Sequence, residues 1–175
     1  MESVTLVAVT AANTAPDMAL LDRLASRLAP VFHLSITVSN SPIDAAFAYT
    51  PERCQYYSTR LVAALAALPT RPGEHILGIT PLDLFVPILT FVFGEAQLRG
   101  PAAIVSYHRL TEEFYGLPAD AALLDQRLLK EAVHELGHTL GLRHCDDWSC
   151  AMASTHTVEL LDLKGAELCP HCRRE

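Results

Sequence analysis

The sequence predicts an α/β fold of the α+β kind, a mixed sheet with an antiparallel edge strand and flanking helices. Residues 4–10, "VTLVAVT", form a short β-branched apolar run, residues 18–32 follow with helical periodicity behind the capping Asp17, and residues 33–40 alternate Leu34, Ile36 and Val38 with polar neighbours. Strand, helix and strand in that order make a parallel pair. Two further apolar runs, "HILGIT" at 75–80 and "AAIVSY" at 102–107, read as buried strands, and Pro87 interrupts the segment between them. Proline lacks the N–H that a central strand donates, so this segment belongs at the edge of the sheet.

The remaining elements follow in chain order. Residues 52–68, "ERCQYYSTRLVAALAAL", have helical length and lie between Pro51 and Pro69. The edge strand is placed at 89–94, antiparallel to its neighbour because the connections on both sides are too short for a helical crossover. Residues 123–142, "LLDQRLLKEAVHELGHTLGL", carry Leu129, Val133, Leu136 and Leu140 in the 4-3-4 rhythm of one helix face. No internal repeat or linker interrupts the chain.

At 175 residues the chain fits one domain, 1–175, and folding at this size buries roughly 70% of the surface that the unfolded chain exposes. A formal net charge of −7 argues against sequence-independent nucleic-acid binding, which needs a basic face. The start, "MESVTLVAVT", places an acid where a secretion signal needs a base. Its apolar stretches are too short for the roughly 20 residues that cross a bilayer. A cytoplasmic protein is therefore expected, with no nucleic-acid or membrane partner, and a monomer. Five cysteines in a reducing compartment suit metal ligation or free thiols better than disulfides.

The last helix holds "HELGHTLGLRH". His134 and His138, four apart, lie about 40° from each other around a helix axis, so both rings can reach one metal ion. A catalytic zinc commonly takes three protein ligands and leaves a fourth position for water. His144 is the candidate third ligand, because Gly141 can adopt the left-handed conformation that ends the helix and turns the chain back. Glu135, about 100° round from His134, is the candidate catalytic residue: a general base for a zinc-activated water that attacks a peptide carbonyl. Two histidines four apart are also common on surface helices. The five positions together carry the metal reading.

Cys145, Cys150, Cys169 and Cys172 follow with the spacing Cys-x4-Cys-x18-Cys-x2-Cys. Two close pairs around a loop of that length suit a tetrahedral structural zinc, which makes two zinc ions per chain. The closing "CPHC" also resembles a redox tetrapeptide, but a redox pair needs to open a helix, and only three residues remain. His171 is expected to be exposed between the ligands, with the capacity to replace one.

The run "HELGHTLGLRHCDDWSCAM" followed by "CPHC" resembles the archaemetzincins, a family within the metzincin zinc peptidases. The segments "RCQYYSTRL", "GITPLDLFVPILTFVFGEA" and "AAIVSYHRL" are similar to family segments too. The gap from Met152 to Cys169 is one residue shorter than the usual pattern, a change in a loop. The resemblance implies a zincin-like twisted mixed sheet, a zinc-dependent peptidase, and Met152 as the methionine turn beneath the catalytic zinc. It further implies an N-terminal part, 1–141, with sheet and active-site helix, and a zinc-stabilised C-terminal part, 142–175. A peptide or protein substrate would be added along an edge strand at 90–96, beginning at Thr90 and closing at Ala96. The alternative is a zinc-stabilised peptide-binding or regulatory protein with little turnover. An intact Glu135 favours the enzyme.

Several residues stand outside these sets. Cys54 is expected as a small buried apolar residue, Phe91 and Phe93 as core, and Trp148 as packing over the structural zinc. Tyr107, His108 and His156 are placed near the cleft, with packing or surface roles favoured over catalysis.

Overall fold

Alternation along β1 (Ser3–Thr10) decides how the layers stack. In the computed structural model, which describes residues 1–12 and 14–174, Val4, Leu6 and Ala8 enter one core while Val7 and Val9 enter another. Successive strand side chains point to opposite faces, so one strand feeds two cores. Helix α1 (Met18–Phe32) starts at Asp17, whose side chain accepts from the Ala19 N–H at 3.0 Å, and stops at His33 in the left-handed conformation. The chain returns as β2 (Ser35–Val38), parallel to β1, and a short β3 (Ile43–Asp44) pairs with the far end of β1.

Next come β4 (Tyr49–Thr50), β5 (Gln55–Tyr57), α2 (Ser58–Ala66), β6 (Glu74–Thr80), β7 (Leu84–Phe85), β8 (Gly94–Ala96) and β9 (Ala102–Ser106). Helices α3 (Ala121–Leu140) and α4 (Val158–Leu163) complete the elements that position the site. Among the described residues the main sheet runs β2-β1-β6-β9-β8, with β8 antiparallel to β9 and the other neighbours parallel. Helices α1 and α3 pack on one face through Leu21, Leu24, Leu128, Val133 and Leu136, and α2 covers the other through Leu61 and Leu65. Each such side chain contributes about 1.5–3 kcal/mol on burial. This holds α3 against the sheet as a rigid floor.

The structure departs from the sequence reading in three places. The helix expected over 52–68 begins only at Ser58: residues 55–57 are β5 in a small sheet, β4-β5-β7, and Cys54 has φ 53. Long-range contacts of Arg53 and Gln55 override helical propensity there. The edge strand expected at 89–94 is antiparallel as predicted but occupies 94–96, because Pro87 leads into a turn closed by the Leu89 N–H on the Val86 carbonyl at 3.0 Å. Leu140, read as part of the apolar face, is 41% exposed where the chain leaves α3. Among the described residues no helix is long and apolar enough to cross a membrane.

Candidate active site

The last two turns of α3 and the turn that ends it bring three imidazoles together. Gly141 has φ 100, and the N–H groups of Gly141 and Leu142 close the helix on the carbonyls of His138 and Gly137 at 2.9 and 3.0 Å. The chain doubles back and delivers His144, whose ring centroid lies 5.3 Å from His134 and 5.1 Å from His138. One nitrogen from each of the three lies within 4.8 Å of the others.

Hydrogen bonds fix which nitrogens face inward. His134 Nδ1 lies 2.8 Å from the Ala151 carbonyl and His138 Nδ1 2.8 Å from the Leu142 carbonyl. A carbonyl only accepts, so both Nδ1 atoms carry the proton and both Nε2 atoms present lone pairs. Those two Nε2 atoms are 3.1 Å apart. Facing lone pairs repel unless a cation lies between them. A proton is disfavoured: burial, then the charge of Lys164, pushes His134 down to about 3, and burial also lowers His138. A metal fits, since imidazoles about 2.0–2.1 Å from a tetrahedral zinc stand roughly 3.3 Å from each other.

Glu135 lies on the same floor and is 5% exposed. Burial, then the Glu131 charge, raises its carboxyl well above the usual range, with Lys164 pulling the other way. It fits only because position 94 is glycine: a Cβ there would stand 2.6 Å from Glu135 Cγ. The three histidines and Glu135 open into a cleft of about 440 Å³, walled on one side by 89–96 and on the other by 154–156.

Below α3, Met152 is fully buried, and a Cβ on Gly137 would come within 2.3 Å of its sulfur. The glycine inside the helix therefore makes room for the methionine. Beyond it the four thiols of Cys145, Cys150, Cys169 and Cys172 lie within 4.8 Å of one another, with Cys145 and Cys169 sulfurs 3.8 Å apart. A disulfide needs about 2.05 Å, whereas thiolates about 2.3 Å from a tetrahedral zinc stand roughly 3.8 Å apart. Cys150 Sγ accepts from the N–H groups of Met152 and Cys169 at 3.4 and 3.3 Å, which fixes where its sulfur stands. The Cys172 N–H chiefly pulls Cys169 down to about 7, while burial and then neighbouring thiols push Cys172 up. Four thiols this close cannot all ionise without a cation among them.

Several expectations are corrected. Trp148 is 71% exposed rather than packed into the fold, and Cys54 is exposed rather than buried. Tyr107 and His108 lie outside the cleft; His108 Nδ1 is 3.1 Å from the Pro81 carbonyl. Phe93 is core, Phe91 is half-buried against its edge, and His156 lines the cleft. Sequence reasoning missed Lys164, whose ammonium is buried 3.0 Å from Glu131. It also missed Arg127, which ties α3 to Asp162 of α4 at 2.8 and 2.7 Å. A single lysine or arginine leaves no periodic signal. The glycines at 94 and 137 do leave one, since each interrupts a strand or helix pattern.

The family model for peptidase family M54 matches residues 48–175. The archaemetzincin of Methanocaldococcus jannaschii is 43% identical over 129 residues, 74% of this chain and 70% of that one. That of Thermococcus kodakarensis is 38% identical, over 81% of this chain and 78% of its own. Among solved structures, the Archaeoglobus fulgidus archaemetzincin, complexed with malonate, aligns with a TM-score of 0.81 at 32% identity over 99% of both chains. A zinc-dependent peptidase from Methanocorpusculum labreanum aligns at 0.86 and 30% identity over 98% of both. The chain belongs to peptidase family M54, the archaemetzincins, and is a zinc metallopeptidase.

Proposed function

We propose that this peptidase hydrolyses peptide bonds with zinc held by His134, His138 and His144 and with Glu135 as general base. One observation carries the reading: Glu135 is buried on the same cleft floor as three clustered imidazoles, and His134 and His138 have their inward nitrogens held as acceptors. Zinc bound there supplies Lewis acidity toward a water and a peptide carbonyl. Glu135 takes the proton from the attacking water. Its raised affinity for protons suits it to hold that proton and then return it to the leaving amine. The four thiols hold a second, structural zinc, two ions per chain in all.

The substrate is a peptide laid as an added strand on the free edge of the wall at 90–96. Phe93 accepts from the Ser106 N–H and Gln97 donates to the Ala102 carbonyl, at 2.7 and 3.0 Å, so 93, 95 and 97 face β9. By the alternation of an antiparallel ladder, Gly94 and Ala96 turn their N–H and C=O outward. Gly94 lies directly against Glu135, which supports placing the scissile bond beside that pair of outward groups.

Glu135→Gln tests the base. Peptide hydrolysis is expected to fall by about 10²–10⁴-fold with zinc content unchanged. Equal rates in the two proteins would remove Glu135 from the mechanism.

A further inference from the structure

We propose that residues 53–59 form a clamp that sets the shape of the cleft wall at 89–96, with Arg53, Gln55, Ser58 and Thr59 as positioning residues for the peptide laid along it. The kinetic part of this rests on the added-strand reading above. The segment is "RCQYYST", which lies outside both metal clusters and contributes no catalytic group.

The wall needs an external support. Its sheet pairing begins only at Gly94, and before that Val92 makes one isolated bridge to Leu84. The carbonyls of Leu89 and Thr90 thus have no ladder partner, and side chains supply one. Arg53 Nη2 donates to the Leu89 and Thr90 carbonyls at 2.8 and 2.9 Å, and Gln55 Nε2 donates to Thr90 at 3.0 Å. Arg53 Nε donates to Gln55 Oε1 at 2.9 Å, and the guanidinium lies 4.3 Å over the Phe85 ring, so the donors are themselves held. Asp83 accepts from Gln55 at 2.9 Å and from Arg109 twice at 2.7 Å, which extends the brace.

The other end of the same segment holds the other end of the wall. Thr59 donates to Glu95 Oε1 at 2.7 Å, and the Ser58 hydroxyl lies between Glu95 Oε2 and the Phe85 carbonyl. Ser58 has one hydroxyl proton for these two acceptors, and its oxygen links Glu95 to the Phe85 carbonyl. Seven consecutive residues therefore pin the wall at 89–90 and at 95.

This has a consequence for the substrate register. The Thr90 carbonyl accepts two hydrogen bonds, which fills both its lone pairs. A substrate N–H finds no acceptor there, so the added strand pairs beyond Thr90, on Gly94 and Ala96. The clamp both fixes the edge and marks where pairing starts.

The test compares zinc-loaded native enzyme with Arg53→Met, which keeps the stem but removes the guanidinium donors, and with Thr59→Val, which keeps shape but removes one. Mixed-sequence peptides of increasing length are the probe. In the native enzyme KM should fall as peptides lengthen. In both variants KM for long peptides should rise about tenfold, kcat should stay within about twofold, and the shortest peptides should be unaffected. Amide exchange at 89–95 should quicken about tenfold while β1 and β6 exchange as before, and Thr59→Ser should behave as native. A loss of kcat independent of length, or native length dependence and native exchange in both variants, overturns the clamp. A native enzyme with no gain from length overturns the added-strand reading instead, and exchange at 89–95 then reports on the clamp alone.

Discussion

The histidine cluster and the cysteine cluster adjoin in the chain, at His144 and Cys145, yet they are built in opposite ways. Two of the three imidazoles ride on α3, a helix of 20 residues packed against the sheet, and both are oriented by carbonyls that the fold itself supplies. The four thiols come from two irregular stretches, with Cys172 opening only a short 3₁₀ turn, Cys172–Arg174. Few apolar side chains accompany them: Leu142 and Met152 are the buried partners of Cys150 and Cys172. A site carried by a helix exists before its metal arrives. A site assembled from loops exists because of it, and so removing each metal should have different consequences.

The largest effect is expected at the thiols. Structural zinc in such a set contributes about 10–16 kcal/mol of apparent binding energy toward folding. Cys172→Ser should therefore loosen 142–174, seen as lost near-UV dichroism and one zinc fewer per chain. It should also weaken metal binding at the histidines. The path is short: Cys145 follows His144, and its N–H is held by the Met152 carbonyl at 3.0 Å. His138→Ala should lower the metal content too, yet leave the melting temperature within a few degrees of native. Unchanged histidine-site affinity in Cys172→Ser would show that the two clusters are independent.

A smaller effect separates the thiols from the other supports of the same stretch. The ammonium of Lys164 and the carboxylate of Glu131 pair at 3.0 Å with side chains 1% and 5% exposed. Removing one partner of a buried pair leaves an uncompensated charge, which costs about 3–5 kcal/mol. Lys164→Met should lower the unfolding free energy by that amount, read from denaturant titration, and adding Glu131→Gln should restore part of it. If the single variant is as stable as native, the Lys164–Glu131 pair contributes nothing to holding the stretch around α4.

The same contrast explains what the sequence disclosed. Ligand spacing was legible because both clusters are local in pattern: His134, His138 and His144 within eleven residues, and each cysteine pair within six. The parallel pairing of β1 with β2 was legible from the strand-helix-strand alternation. What escaped was long-range. Residues 52–57 carry a helical composition, but Arg53 and Gln55 reach carbonyls 35 to 37 positions away, and those bonds decide the backbone. The edge strand slipped to 94–96 because Pro87 shapes a turn whose length the sequence does not specify. Lys164 and Arg127 pair across 33 and 35 positions and leave no mark in periodicity.

The smallest predicted effect lies where the two clusters touch through packing. Gly137 stands between His134 and His138 in the metal-bearing helix, and Met152 precedes the turn back to the thiols. A Cβ at 137 would meet the Met152 sulfur at 2.3 Å. Alanine improves helix propensity by about 0.8–1.0 kcal/mol over glycine, whereas overpacking a closed core costs about 1–3 kcal/mol. Methionine is flexible, which keeps the cost below the high end; a cost of about 2 kcal/mol, less the propensity gain, leaves Gly137→Ala destabilised by about 1 kcal/mol. The sign should reverse once the sulfur is gone. In a Met152→Ala background the new methyl enters the space the side chain leaves, and Gly137→Ala should then stabilise by roughly the propensity gain. A double-mutant cycle measured by denaturant unfolding reads this directly. If Gly137→Ala has the same effect in both backgrounds, the glycine is not there to admit Met152, and the packing link between the two clusters fails.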